Sequence, residues 1–388
     1  MDFNRLSENF EQYLIDIISG KHKKRKRDRT FKAFLFILSR IYRSIVQLRL
    51  SLYSERIFRQ RILGCLVISV GNLTCGGTGK TPVVEIFART LAEKGRKVAI
   101  LSRGYKSKKK SLLTRIFDKI LNREDPPRIV SDGKQLLLDS EHSGDEPYML
   151  ASNLPKTVVL VDKDRVKSGR YAIREMGIDT LILDDAFQYL GLRPRFNILL
   201  VDSTNPFDNH HLLPRGFLRE PIKNIRRADV IFLTKSNGGK HLKHIKHFLQ
   251  KHNRRAEMIE CTHKPKHLAD IYTGKIEDLE LLKGAKIACI SGIAKPEGFE
   301  AFIRGLGGEI LYFERFADHH RYQQQEIINF VNVSINKGAT MILTTEKDAV
   351  RFPKLDRRDL QFYFLRVEID ILSGQETFNE CISRICFI

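Results

Sequence analysis

The chain is 388 residues long and carries 67 Lys and Arg against 46 Asp and Glu, a formal charge of +21. With 42% hydrophobic and 29% charged residues it has the composition of a globular protein of two or three domains of about 100 to 200 residues each, which excludes wholesale disorder and a many-span membrane protein. So large a positive charge points to an anionic partner and leaves nucleic acid, anionic lipid and a phosphorylated substrate open.

The charge is unevenly placed. Residues 1–60 carry +8 and residues 103–123 carry +7, whereas the other 307 residues carry only +6. The first basic run (Lys21, Lys23, Lys24, Arg25, Lys26, Arg27, Arg29) comes late for a secretory signal. The uncharged stretch AFLFILS after it has only seven residues, against about 20 for a spanning helix. Residues 31–58 predict a helix with a narrow polar stripe. Lys32, Ser39, Arg40, Arg43, Ser44, Gln47, Ser51 and Ser54 fall within roughly 140° of one another, and Phe, Leu and Ile fill most of the rest. A basic flank beside a broad apolar face is the pattern of a helix lying in a membrane interface; a helix packed on the protein core is the alternative.

From residue 66 the apolar run LVISV leads into GNLTCGGTGKT and then into the helical pattern PVVEIFARTLAEKG. Strand, glycine-rich loop and helix in that order make a phosphate-binding loop. Gly76, Gly77, Thr78 and Gly79 would turn backbone amides onto phosphates at the helix N-terminus. Lys80 would supply a point charge to the β and γ phosphates of ATP, and Thr81 a hydroxyl to Mg²⁺. Thr74 stands where the usual pattern has glycine, and Gly71, Gly76 and Gly77 are expected to supply the flexibility instead. Residues 106–123 repeat the basic and amphipathic theme. Further on, TLIL reads as a buried strand with Asp184 and Asp185 at its C-terminal end. Adjacent carboxylates are costly there unless a cation sits beside them, as Mg²⁺ would. Cys65, Cys75, Cys261, Cys289, Cys381 and Cys386 form no CxxC pair and no zinc spacing, and read as reduced thiols.

Apolar strand candidates alternate with helical stretches over residues 66–235 and again from about 285, predicting two α/β/α domains, the first a P-loop NTPase-like parallel sheet, preceded by the N-terminal amphipathic helix. The expected boundaries are an arm at 1–60, a kinase domain at 61–284 with a basic insertion at about 106–130, and a smaller α/β domain at 285–388.

The runs ISVGNLTCGGTGKTP, SRGY, SGDEPYML, VDKDRVKSG, LILDDAFQ, LLPRGFLREP, SGIAKPEGF, FADHHRY and LTTEKDAVRF occur in the order seen in the tetraacyldisaccharide 4'-kinases of lipid A biosynthesis, a family that the chain resembles from about residue 53 to 352. The resemblance implies ATP-dependent phosphorylation of the 4'-hydroxyl of an acylated disaccharide 1-phosphate, at the cytoplasmic face of the bacterial inner membrane. It implies that Asp145 is the general base, that Glu146 lies near the metal, and that His319 pairs with the base. It also implies that Arg165 and Arg219 lie near phosphate groups. Without the family, His319 reads as a polar loop residue and each arginine as a surface residue. Tyr189 stands where the family usually has His. The partners expected are the lipid substrate and an anionic membrane surface, with neither nucleic acid nor an obligate protein partner. The competing reading is a nucleic-acid-dependent P-loop ATPase, which would spend the charge on phosphate backbones.

Overall fold

The structure, a computed structural model, describes residues 26–104, 125–239, 241–355 and 359–386, together with Ile18. The basic run at 21–25 and the stretch 106–123 lie outside the described residues.

In chain order the main elements are helix α1 (Lys26–Ser54), strand β1 (Leu66–Asn72), α2 (Lys80–Glu93), β2 (Val98–Ser102), β3 (Arg128–Asp132), α3 (Ser140–Ser143), α4 (Asp145–Asn153), β4 (Val158–Val161), α5 (Arg165–Met176), β5 (Thr180–Leu183), β6 (Phe196–Asp202), β7 (Val230–Thr234), α6 (His241–His252) and β8 (Glu257–Asp270). There follow β9 (Ile276–Glu277), β10 (Lys286–Ser291), α7 (Pro296–Gly305), β11 (Glu309–Arg315), α8 (Gln324–Asn336), β12 (Met341–Thr345), α9 (Glu346–Ala349), β13 (Gln361–Ser373) and α10 (Gln375–Cys386). Helix α1 starts and stops earlier than its apolar periodicity predicts. Its end has a local cause: Arg56 takes left-handed backbone at φ 60°, which a right-handed helix does not accommodate.

The described residues group into two compact units, each discontinuous in sequence: those within 1–80, 178–262 and 371–388, and those within 81–177 and 263–370. This grouping follows contact in space, whereas the expected boundaries near 60 and 284 followed sequence order.

In the first unit β5, β1, β6, β7 and the start of β8 lie side by side, every pair parallel. Their residues are almost all buried, as expected of parallel strands covered on both faces. One face packs Leu73, Phe187, Leu199, Val201, Ile231 and Leu233 into a core that Tyr42 of α1 and Ile245 and Phe248 of α6 close.

In the second unit β10 lies between β11 and β12, and β12 pairs with β13, all parallel. Side chains alternate between faces along each strand. Ile287 and Cys289 of β10, with Met341 and Leu343 of β12, join Phe299 and Ile303 of α7 in one core. Ala288 and Ile290, with Ile342, join Ile327, Phe330 and Val331 of α8 in another. The same unit holds β2 parallel to β4 and β3 antiparallel to β4. The protein is thus an α/β fold with mostly parallel strands.

Candidate active site

Two clusters of functional side chains are built, one in each unit. The first is the phosphate loop, which leaves β1 at Asn72 and enters α2 at Lys80. Gly76 and Gly79 take φ values of 112° and 78°, which glycine adopts without strain. A Cβ added at Gly76 or Gly77 would meet nothing within 4 Å. Gly71 works differently from the expectation: it sits buried in β1, where a Cβ would come within 2.7 Å of the Phe187 backbone nitrogen. Its requirement is close approach to the 186–187 turn, rather than loop flexibility. Thr74 forms an antiparallel bridge with Leu218, and its extended backbone has no need of the glycine that the usual pattern places there.

Residues distant in sequence hold the loop. The Asn72 amide donates to Thr78 Oγ1 at 2.8 Å, and the Thr234 hydroxyl donates to the Thr78 carbonyl at 2.8 Å. Lys235 Nζ donates to the Gly77 carbonyl at 2.6 Å and meets Asp202 Oδ2 at 2.7 Å. Neither Thr234 nor Lys235 was singled out from sequence; the signal available was their position at the end of β7, an inner parallel strand of this unit.

Asp184 and Asp185 follow β5, as expected. Asp184 is buried. The cations that Asp185 requires come from elsewhere in the chain: Arg219 Nη1 reaches both its oxygens at 2.8 and 2.9 Å, and Lys80 Nζ lies 3.5 Å away. Burial pushes the Asp185 carboxyl up, but Lys80 and Arg219 outweigh it and hold the group below the usual carboxylate range. Arg219 is fixed at its own backbone, its N–H donating to the Leu73 carbonyl at 2.7 Å and its carbonyl accepting from the Tyr42 hydroxyl of α1 at 3.0 Å. Glu220 beside it is buried against Arg227 and Asn224.

The second cluster centres on Asp145, the first residue of α4, behind Gly144 at φ 93°. Its carboxylate is 8% exposed. Oδ2 lies 3.2 Å from His319 Nδ1 and 3.3 Å from Arg351 Nε, and Oδ1 lies 3.4 Å from Arg321 Nη2. Desolvation raises its pKa, but the His319 hydrogen bond and the Arg351 and Arg321 charges prevail and hold it low. Lys347 Nζ is 3.3 Å from His319 Nε2 and 3.4 Å from Glu146. An ammonium only donates, so Nε2 accepts from it and Nδ1 is left to donate to Asp145. His319 itself takes left-handed backbone, φ 66°, with its N–H donating to the Gly292 carbonyl at 3.2 Å. Arg321, Lys347 and Arg351 lie within the runs FADHHRY and LTTEKDAVRF but carried no individual signal in the sequence.

Arg165 is buried at the first turn of α5, behind its N-cap Asp164. Thr81 follows Lys80 in α2. Among the described residues no group of three or more His, Cys, Asp and Glu is placed to hold a metal ion unaided. Hydroxyl and carboxylate oxygens one or two at a time suit Mg²⁺, which keeps waters and takes phosphate oxygens as ligands.

Comparison with known proteins identifies the family. Residues 31–386 match the family model described as "Tetraacyldisaccharide-1-P 4'-kinase". A tetraacyldisaccharide 4'-kinase of Syntrophus aciditrophicus is 37% identical over 369 residues, covering 92% of this chain and 94% of the relative. One from Geobacter sulfurreducens is 36% identical over 341 residues, covering 88% and 90%. The crystal structure of LpxK from Aquifex aeolicus in complex with ATP superposes with a TM-score of 0.70 at 28% identity, over 92% of this chain and 100% of that one. The chain belongs to the tetraacyldisaccharide-1-phosphate 4'-kinase family.

Proposed function

We propose that the protein transfers the γ-phosphate of ATP to the 4'-hydroxyl of tetraacyldisaccharide 1-phosphate, giving lipid IVA, at the cytoplasmic face of the bacterial inner membrane. The observation that carries this reading is a complete phosphate loop, with Lys80 ion-paired to Asp185, in a chain that matches the kinase family from residue 31 to 386.

In this reading the loop amides and Lys80 hold the β and γ phosphates, and Arg219 and Arg165 balance charge on phosphate oxygens, for which a planar guanidinium is suited. Asp184 and Asp185 of the first unit would hold Mg²⁺, which would neutralise charge on the phosphates. Asp145 orients the sugar hydroxyl and receives its proton as the bond to phosphorus forms and ADP leaves. A carboxylate held low is a weak base. That suits a loose phosphoryl-transfer transition state, in which the nucleophile keeps its proton until late.

The membrane part of the reading rests on α1. Its Leu35, Ser39 and Tyr42 face the protein, so part of the polar stripe is turned inward. Phe34, Ile37, Ile41, Ile45 and Leu48, at helical spacing, are between 54% and 62% exposed. The segment 34–62 contains nine of the seventeen exposed large apolar residues among the described residues. No described helix is long and apolar enough to cross a membrane, and an apolar face of this kind suits a helix lying in the interface. At about 0.8 kcal/mol per buried CH₂, a tetraacylated substrate stays in the bilayer and the enzyme has to meet it there.

The test is transfer of labelled γ-phosphate from ATP to the tetraacyl disaccharide 1-phosphate in mixed micelles. Wild type yields labelled lipid, whereas Lys80→Ala and Asp145→Ala lose about 10²-fold or more of the rate. Well-folded wild type that yields none would overturn the reading.

A further inference from the structure

Arg351 lies in a run shared with the family but is not among the residues to which the resemblance gives a role. It follows the short helix α9, and its side chain is 0% exposed. Burying a guanidinium is costly unless its charge is paired and its donors are used. Here it faces two carboxylates, with Nε 3.3 Å from Asp145 Oδ2 and Nη2 3.3 Å from Asp348 Oδ1. Nε also donates to the Lys347 carbonyl at 3.0 Å, and Nη1 to the His320 carbonyl at 3.0 Å.

These partners tie together what the proposed reaction has to keep in register. Asp145 begins α4. His320 belongs to the loop that presents His319 in a left-handed conformation. Lys347, whose carbonyl Arg351 holds, carries the ammonium beside His319 Nε2. Asp348 secures the far side, being wholly buried and accepting from the Gly292 N–H and the Tyr322 hydroxyl, each at 3.0 Å. Gly292 in turn accepts from the His319 N–H, and a Cβ there would come within 2.9 Å of the Ala317 carbonyl and 3.3 Å of Asp348. A lysine in place of Arg351 would bring one point charge where several fixed donors act at once.

We propose that Arg351 is a positioning residue, fixing Asp145 and the His319 loop in their working geometry without touching the substrate. The assignment rests on the kinase reading for its kinetic consequence, although the geometry it maintains is measurable without activity.

The experiment compares wild type with Arg351→Lys and Arg351→Gln, alone and combined with Asp145→Asn, folding being confirmed for each by cooperative thermal melting. In the Asp145 background, kcat falls on the order of 10²-fold, as small misplacements of a reacting group do, while KM for ATP stays within about twofold because the phosphate loop is held by other residues. In the Asp145→Asn background the same changes cost less than about threefold, because the residue they act through is already gone. Independently of turnover, ¹⁵N NMR of the imidazoles shows His319 with its proton on Nδ1 in wild type, and shows that signature altered in both variants. Full additivity with Asp145→Asn, an unchanged kcat, or an unchanged His319 spectrum in both variants would each overturn the assignment. Wild type that makes no labelled lipid but shows the variant-sensitive His319 signature would overturn the kinase reading and leave the positioning role supported.

Discussion

Lys235 is held in left-handed backbone, φ 55°, a conformation that costs about 1–3 kcal/mol in a non-glycine residue and persists where surrounding contacts repay it. Its ammonium repays it by joining the Gly77 carbonyl to Asp202. Lys235→Ala therefore raises KM for ATP by about tenfold, the equivalent of one lost charge-assisted hydrogen bond; an unchanged KM at saturating lipid would contradict the tie. Gly71→Ala forces a methyl against Phe187 and costs about 1–3 kcal/mol as overpacking does, whereas Gly77→Ala meets open space and leaves the melting temperature within error. The cysteines give a third check. Burial pushes the thiols of Cys261 and Cys381 up to about 12 and that of Cys289 up as well, leaving a thiolate fraction at pH 8 on the order of 10⁻⁴ for the first two. Iodoacetamide at pH 8 should label Cys65, Cys75 and Cys386, which are partly exposed, and spare the three buried thiols until the protein is unfolded; native labelling of Cys261, read by peptide mass, would contradict the packing.

Helix α1 shows how an element can serve two surfaces. Deleting it would strip Tyr42 from the Arg219 carbonyl and from the core of the first unit, so loss of binding after deletion would be ambiguous. Ile37→Glu, Ile41→Glu and Ile45→Glu together change only outward positions. They are expected to abolish flotation with anionic vesicles while each shifts stability by no more than about 0.5 kcal/mol. Retained flotation would sink the interfacial reading of this helix. The runs LVISV and TLIL, read as strands from their pattern, are strands β1 and β5, because each is a short apolar run among parallel neighbours, the case in which pattern is strongest. The strands not foreseen have weak patterns. In β8 the sequence EMIECTHKPKHLAD places exposed Lys264 and Lys266 and half-buried His263, Pro265 and His267 between two buried stretches, and β9 has only two residues. Such strands are set by their neighbours rather than by their own hydrophobicity.

Across the whole molecule, what could be read in the sequence depended on how far apart in the chain the cooperating groups lie. Lys80 and the loop glycines are contiguous, so a local pattern revealed them. Asp185 was visible as a strand-end carboxylate, yet its partner Arg219, 34 residues on, was not deducible as a counter-ion. Asp145 and His319 are 174 residues apart and came into view only through resemblance to a family; Arg351 and Lys347 required the folded chain. The positive charge was partly informative. Its concentration in residues 1–60 and 103–123 leaves the other 307 residues with only +6, which is the sequence feature behind the proposed contact with an anionic surface. The measurement that tests the central claim most directly is the identity of the product. After incubation with ATP and tetraacyldisaccharide 1-phosphate, ³¹P–¹H correlation NMR of the extracted lipid should show one new phosphomonoester, coupled to the proton at the 4' position and formed mole for mole with ADP. ADP released without a lipid phosphomonoester, or a phosphate at any other hydroxyl, would contradict it.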